Sequence, residues 1–208
     1  IEEISIERGN DWKYDTYYNE YSEVLLILNK PEEALRICNK GLKINPENSW
    51  LMVYKGSSYV MLGDSTSVNR SISEIRSFVK KNNYSESVEA YALGVMYLSA
   101  KDTVMAEKYY RKAHYLDPES RNLKANLAGT LIRGNINIEE GLKLCEEVLV
   151  KYPDLTFWMH LKGLALHKLG RNQEALEILK ETDKIVPGYS WDINNEIISV
   201  EKALASQN

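Results

Sequence analysis

The chain has 208 residues, of which 44% are hydrophobic and 27% charged, and its formal net charge is -4. This composition is typical of a folded protein and excludes the class of intrinsically disordered chains. The small negative charge, without a cluster of Lys and Arg, argues against nucleic-acid binding because phosphate recognition depends on a basic face. Since no apolar run reaches the roughly 18 to 20 residues that span a bilayer, we expect no membrane insertion by this segment.

Residues 1–14 match no repeat, and we interpret them as a lead-in segment. They are either flexible, as chain termini commonly are, or an ordered strand or helix resting on the residues that follow. The chain begins at Ile1 rather than at a methionine. Its localisation is therefore left open: we expect a soluble segment, either cytoplasmic or exported after removal of a leader.

The stretch from Ser87 to Ser120 is the clearest of five similar segments. Small residues in both of its halves would let two helices approach closely, while Leu and Tyr fill the space around that contact. The residues that carry the pattern are Ala90, Leu93, Gly94 and Tyr97, then Ala106, Tyr110, Ala113 and Pro118. The pattern resembles the tetratricopeptide repeat (TPR), a 34-residue pair of antiparallel helices. The resemblance implies an all-α, right-handed α-α superhelix of about five helix-turn-helix repeats with a C-terminal capping helix.

We place the elements in chain order from this register, as a single solenoid over residues 15–208. The repeats are expected at about 15–48, 49–86, 87–120, 121–155 and 156–189, with the capping helix at 190–206. The corresponding helices are predicted at 15–28, 31–44, 49–62, 66–80, 86–99, 102–115, 120–133, 138–151, 155–169, 172–184 and 190–204. The capping helix is expected because a terminal repeat needs a polar outer face.

The second repeat departs from the pattern in its second helix. Val68, Ile72 and Ile75 replace the small and aromatic residues, and Lys80 stands where a proline is expected. We expect the branched side chains to hold the two helices of this repeat apart.

The spacing between equivalent positions also changes along the chain. Most steps measure 34 or 35 residues, but the step from Gly56 to Gly94 measures 38. We place the four extra residues in the junction at 81–85. One further residue is expected in the turn at 134–137.

Residues suited to catalysis or metal binding do not form a recognisable group. His160 and His167 are seven residues apart on one helix, about 10.5 Å along its axis, which is too far to share a metal ion. Cys38 and Cys145 occupy the same repeat position and are expected in the core. Phosphate-loop, dinucleotide-fold, zinc-protease and calcium-loop motifs do not occur. We therefore expect no enzyme activity, no cofactor and no metal.

The family resemblance implies that a partner binds along an inner groove lined by the first helix of each repeat. Carried onto this chain, the partner-binding residues are Asn19, Trp50, Val53, Ser57, Val60, Val88, Tyr91, Val95, Leu98, Asn122, Arg133, His160 and His167. The central section of this set is apolar. The basic clamp by which one subclass of the family holds acidic chaperone tails does not occur, because Glu23 and Tyr54 stand at two of its positions.

These observations predict a non-enzymatic protein-protein interaction module that binds a hydrophobic peptide or protein segment in an apolar concave groove. An alternative is a self-assembling structural or scaffold domain of a larger receptor or lipoprotein complex, so a homo-oligomer is left open. A further alternative concerns the groove itself, which repeat curvature could narrow or residues 1–14 could fill.

Overall fold

The computed structural model describes residues 11–187 and 191–206, and every regular element within them is an α-helix. The helices are α1 (Asp11–Ile27), α2 (Pro31–Ile44), α3 (Ser49–Leu62), α4 (Ser65–Lys81), α5 (Glu86–Ser99), α6 (Thr103–Leu116), α7 (Arg121–Arg133), α8 (Ile138–Lys151), α9 (Thr156–Lys168), α10 (Asn172–Ile185) and α11 (Trp191–Ala205). The predicted helices are confirmed to within one residue at each end, except that α1 begins four residues early. Of the predicted lead-in, 11–14 therefore belong to α1, and 1–10 lie outside the described residues.

Local sequence signals explain where these helices begin. The side chains of Asn48 and Asp64 accept hydrogen bonds from the backbone N–H groups of Leu51 and Ser67, at 3.1 and 3.0 Å. Each cap satisfies one of the N–H groups that the first turn of a helix leaves unpaired. Pro31 opens α2, where its missing N–H costs nothing.

Prolines also mark where most second helices end. The chain has a proline two residues beyond α2, α6, α8 and α10, at Pro46, Pro118, Pro153 and Pro187. Proline cannot continue a helix and disfavours the helical conformation in the residue before it. Only α4, among these second helices, has no such proline.

Three of the four extra residues of the second repeat lengthen α4, so their predicted placement at 81–85 is wrong. Helix α4 has 17 residues, whereas α2 and α6 have 14 each. The loop that follows it, 82–85, is as short as the corresponding loops 45–48 and 117–120. Because Lys80 replaces the proline, the chain remains helical to Lys81 and then turns at Asn83, whose φ is 54°. The extra residue predicted at 134–137 is confirmed by a four-residue turn there.

The chain divides into two compact units, Ile1–Leu116 and Asp117–Asn208. In the first unit the helix pairs are α1/α2, α3/α4 and α5/α6, and the first helices α1, α3 and α5 lie side by side. In the second unit the pairs are α7/α8 and α9/α10, and α11 packs on α10. A single solenoid over 15–208 stays a prediction.

Candidate functional site

An apolar cavity of about 150 Å³ lies in the first unit between α3, α4 and α5. Its lining residues come from three helices and one loop: Ser49, Trp50, Met52, Val53, Ile75, Phe78, Val79, Tyr84, Val88, Tyr91, Ala92 and Val95. Trp50, Tyr84 and Val88 are exposed, at 42%, 53% and 39%. Aromatic and aliphatic side chains therefore surround both the cavity and its mouth.

Helix α4 supplies one side of the cavity. Helix α4 packs closely along α3 but meets α5 at few residues. Ile75, which stands where the first and third repeats have Gly41 and Ala113, lines this space together with Val79. The ring of Phe78 lies 6.1 Å from that of Tyr84 and completes the wall on this side.

Buried polar contacts hold the opposite wall in place. Ser57 Oγ donates a hydrogen bond to the carbonyl oxygen of Met96 at 2.8 Å, which ties α3 directly to α5. Burial raises the pKa of Tyr54, and the charge of Glu23 and a hydrogen bond with it raise that pKa further. The ring of Tyr91 lies 6.1 Å from the fully buried ring of Tyr110. The cavity wall is therefore fixed by packing on both α3 and α5.

The first helices α1 and α5 approach each other near the C-terminal end of α1. Helices α1 and α5 come into contact across α3, and the Nζ of Lys101 donates to the carbonyl oxygen of Ile27 at 3.4 Å. Leu26, a residue of the inner face of α1, is only 1% exposed. At the same end of the two helices Ile27 and Leu98 are exposed, at 65% and 38%, so a narrowing of the groove there stays a prediction.

The structure separates the predicted groove residues of the first unit into two groups. Five of them line the cavity: Trp50, Val53, Val88, Tyr91 and Val95. The other four lie elsewhere, on α1, α3 and α5. Asn19 is half-buried, and its Oδ1 atom has no hydrogen-bond partner among the described residues; Ser57 is fully buried; Val60 is half-buried and Leu98 exposed.

The two histidines of the second unit contact α11 instead of an open groove. His160 is buried, and its Nε2 lies 2.6 Å from the Oε2 of Glu196. The Nδ1 of His167 lies 2.7 Å from Asn172 Oδ1, and its Nε2 lies 3.2 Å from Ser199 Oγ. Both side chains therefore hold the C-terminal helix in place.

The remaining two predicted residues, Asn122 and Arg133, are exposed near opposite ends of α7. Asn122 lines a shallow cavity of about 390 Å³, together with Arg121, Ala125, Leu155, Thr156, Phe157 and Trp158. Its lining mixes polar and apolar side chains. We therefore regard the first-unit cavity as the better candidate site.

Sequence reasoning missed the side of the cavity that α4 and the following loop supply. Ile75, Phe78, Val79 and Tyr84 line it, and none of them belongs to a helix that was expected to face the groove. The signals that could have identified them are the lengthened repeat and the missing proline. Both occur where the cavity forms.

The described residues contain no group of three or more His, Cys, Asp or Glu side chains that could hold a metal ion. Both cysteines are free and fully buried, which confirms their predicted place in the core. Burial raises the pKa of Cys38 to about 11 and that of Cys145 to about 12, so neither is a ready nucleophile. None of the described helices combines the length and the apolar character needed to cross a membrane.

Comparisons with known proteins identify the family. Residues 15–48 and 90–120 match the tetratricopeptide repeat, and residues 132–190 match the N-terminal TPR repeats region of Psidin. Among curated proteins, no sequence matches this chain. The chain is a tetratricopeptide repeat protein, and its all-α fold of helix-turn-helix repeats is confirmed. This repeat is generally an interaction fold rather than a catalytic one.

Solved structures show the same fold at low sequence identity. YrrB, described as a TPR protein with an unusual peptide-binding site, is 17% identical over 89% of this chain and 90% of its own, with a TM-score of 0.52. TTC0263, a thermophilic TPR protein of Thermus thermophilus, is 16% identical over 92% of this chain and 99% of its own, with a TM-score of 0.56. The first TPR domain of human RPAP3 is 21% identical over 58% of this chain and 93% of its own, with a TM-score of 0.51.

Proposed function

We propose that this protein is a non-enzymatic interaction module that binds an apolar segment of a protein partner at the first-unit cavity. The observation that supports this function is the meeting of predicted groove residues from α3 and α5 at one apolar cavity. Trp and Tyr side chains with exposed edges are favoured anchors in protein interfaces. Trp50 and Tyr84 at the mouth have this character.

The size of the cavity indicates what it holds. An apolar cavity of about 150 Å³ in another protein accommodates a benzene molecule, so this one suits a single side chain of the size of Leu or Phe. Burying such a side chain contributes about 1.5 to 3 kcal/mol, which is too little for stable binding by itself. The exposed side chains at the mouth must therefore supply further contacts to the residues that flank the anchor.

Two considerations support a protein ligand over a small molecule. Tetratricopeptide repeats are a protein-interaction fold, and YrrB, which shares this fold, is described as having a peptide-binding site. The cavity is also small beside the roughly 300 to 1,000 Å³ that typical small-molecule pockets enclose. A protruding side chain of a peptide fits it better than a whole metabolite.

The experiment is a peptide selection from a displayed library, followed by fluorescence anisotropy with the selected peptides. We expect selected sequences to share one Leu, Phe or other bulky apolar residue. Replacing Trp50 and Tyr91 together with Ala should weaken binding by about ten-fold or more, because interface aromatic anchors each contribute about 1 to 2 kcal/mol. The control is Tyr115→Ala, which removes a tyrosine that is 83% exposed on α6.

Since Tyr91 packs against Tyr110, the double variant needs a companion that leaves the core intact. Val88→Lys places a charge at the exposed mouth and should weaken binding at unchanged helical content. Binding that survives both changes, or that falls equally with Tyr115→Ala, would rule out the cavity as the binding site.

A further inference from the structure

A second cavity of the first unit lies next to the first-unit cavity, among α2, α3 and α4, and encloses about 640 Å³. We call it the charged cavity because lysine, arginine and glutamate side chains line it. Met52 of α3 and Phe78 of α4 line both cavities. These two side chains therefore form the wall between the cavities, which we call the partition.

The two sides of the partition differ in polarity. Every residue that lines the first-unit cavity is uncharged. On the other side, the Nζ of Lys55 lies 3.0 Å from the Oε2 of Glu74, and Lys81 forms an ion pair with Glu47. The partition therefore separates an apolar space from a space that offers exposed carboxylates.

The partition is also the wall at which the first-unit cavity can grow. Val53, Ile75 and Val79 line other parts of this cavity and are 4%, 3% and 6% exposed, so packed protein lies behind them. Met52 and Phe78 are half-buried, and the space behind them is the charged cavity. A bound side chain too large for the first-unit cavity therefore finds room in this direction.

Of the two partition residues, Met52 is the one that a substitution removes with less disturbance to the site. The ring of Phe78 lies 6.1 Å from that of Tyr84, which stands at the mouth, so its removal would also change the mouth. Met52 lies within α3, and alanine is the best helix former. Met52→Ala should therefore open the partition while α3 remains helical.

We propose that the partition sets the upper size limit of the anchor side chain, and that Met52 makes the first-unit cavity select Leu or Phe over Trp. This inference rests on the proposed function, because it concerns the anchor of the bound segment. An indole ring is larger than a phenyl ring and needs the space behind Met52. In Met52→Ala the indole reaches the charged cavity, where its N–H group meets carboxylate acceptors and water.

The test compares two versions of one selected peptide, with Phe or Trp as the anchor, by fluorescence anisotropy. The wild type should bind the Phe peptide about ten-fold more tightly, since one methylene group changes the preference of an apolar pocket by about that factor. Met52→Ala should shift the ratio of the two dissociation constants toward Trp by about ten-fold. Met52→Leu, which nearly conserves the side-chain volume, should keep the wild-type ratio.

Met61→Ala is the matched control, because Met61 is also half-buried on α3 but lines neither cavity. If Met52→Ala loses helical content, Phe78→Leu opens the partition from α4 and should shift the ratio in the same direction. A wild type that binds the Trp peptide as tightly as the Phe peptide would overturn the proposal. So would a ratio that opening the partition leaves unchanged, or that Met61→Ala shifts equally.

A probe without any peptide separates the size limit from the proposed function. NMR titrations with benzene and with indole report which ring enters, through the amide signals of Val53 and Ile75. Benzene should bind to the wild type and to Met52→Ala, whereas indole should bind to Met52→Ala alone of the two. If no peptide binds but indole distinguishes the two proteins in this way, the proposed function fails and the size limit stands. If peptides bind at the cavity but indole does not enter Met52→Ala, the size limit fails and the proposed function stands.

Discussion

Replacing Gly94 with Ala tests whether the close contact between α5 and α6 requires a residue without a side chain at this position. A Cβ atom at this position would lie 2.6 Å from both Cδ1 and Cε1 of Tyr110. Ordinary contacts between carbon atoms measure about 3.5 to 4.0 Å. The ring of Tyr110 is 1% exposed and packs on Tyr91, which lines the cavity. The ring therefore has no free space to move into without disturbing the candidate site.

Two opposing effects determine how much Gly94→Ala changes the free energy of unfolding. Overpacking a core costs about 1 to 3 kcal/mol, and a clash with a confined ring belongs at the upper end of that range. Replacing glycine by alanine within a helix contributes about 1 kcal/mol of stability. We expect Gly94→Ala to lower the free energy of unfolding by about 2 kcal/mol.

Gly129 is the matched control because it is also a glycine within a helix. A Cβ there would have Arg133 Nη1 as its nearest neighbour, at 4.0 Å, so only the gain in helix propensity remains. We expect Gly129→Ala to raise the free energy of unfolding by about 0.5 to 1 kcal/mol. The two variants should thus differ by roughly 2 to 3 kcal/mol, in opposite directions from the wild type.

The assay is urea unfolding followed by circular dichroism, with hydrogen exchange and mass spectrometry to assign each effect to a unit. Gly94→Ala should speed exchange in α5 and α6 and weaken binding of selected peptides. Adding Tyr110→Leu should recover part of the lost stability, because the smaller side chain makes room for the Cβ. A Gly94→Ala variant as stable as the wild type would refute the reasoning, as would equal destabilisation by Gly129→Ala.

Three further outcomes are expected. Amide exchange should be faster in residues 66–85 than in 87–118, because α4 has few contacts with α5 and borders the cavity; the opposite order would contradict this. Burial raises the pKa of the Cys38 thiol from 9.0 to about 11, so between these pH values the thiol ionises in the unfolded chain but stays neutral in the folded one. The free energy of unfolding should therefore fall by about 2 to 3 kcal/mol as the pH rises from 9.0 to 11. Cys38→Ala should show a smaller fall over the same range. Glu196→Ala removes the hydrogen bond to buried His160 and should cost about 1 to 3 kcal/mol, seen as faster exchange in α11; unchanged exchange there would show that the bond does not hold the helix.

The sequence was informative wherever a residue type has one steric role. Glycine and alanine at fixed spacing, followed by proline, predicted the helix pairs and, apart from the start of α1, their ends to within one residue. The same logic placed Cys38 and Cys145 in the core and located the extra residue at 134–137. These features depend on contacts within one repeat, and the repeat pattern encodes them directly.

The three residues that lengthen α4 show where that logic stopped. A longer spacing can be accommodated either by a loop or by a longer helix, and the sequence alone did not distinguish them. The loss of the proline decided in favour of the helix, because without it the backbone of α4 could continue to Lys81.

The sequence by itself determined the repeat, its register, the helix boundaries and the apolar character of the inner helices. The tertiary structure decided which inner residues remain accessible, because exposure depends on how neighbouring repeats pack. Ser57 was buried against α5, to which it donates a hydrogen bond, and His160 was covered by α11. Each of these contacts joins different repeats, and a pattern read within a single repeat contains no information about them.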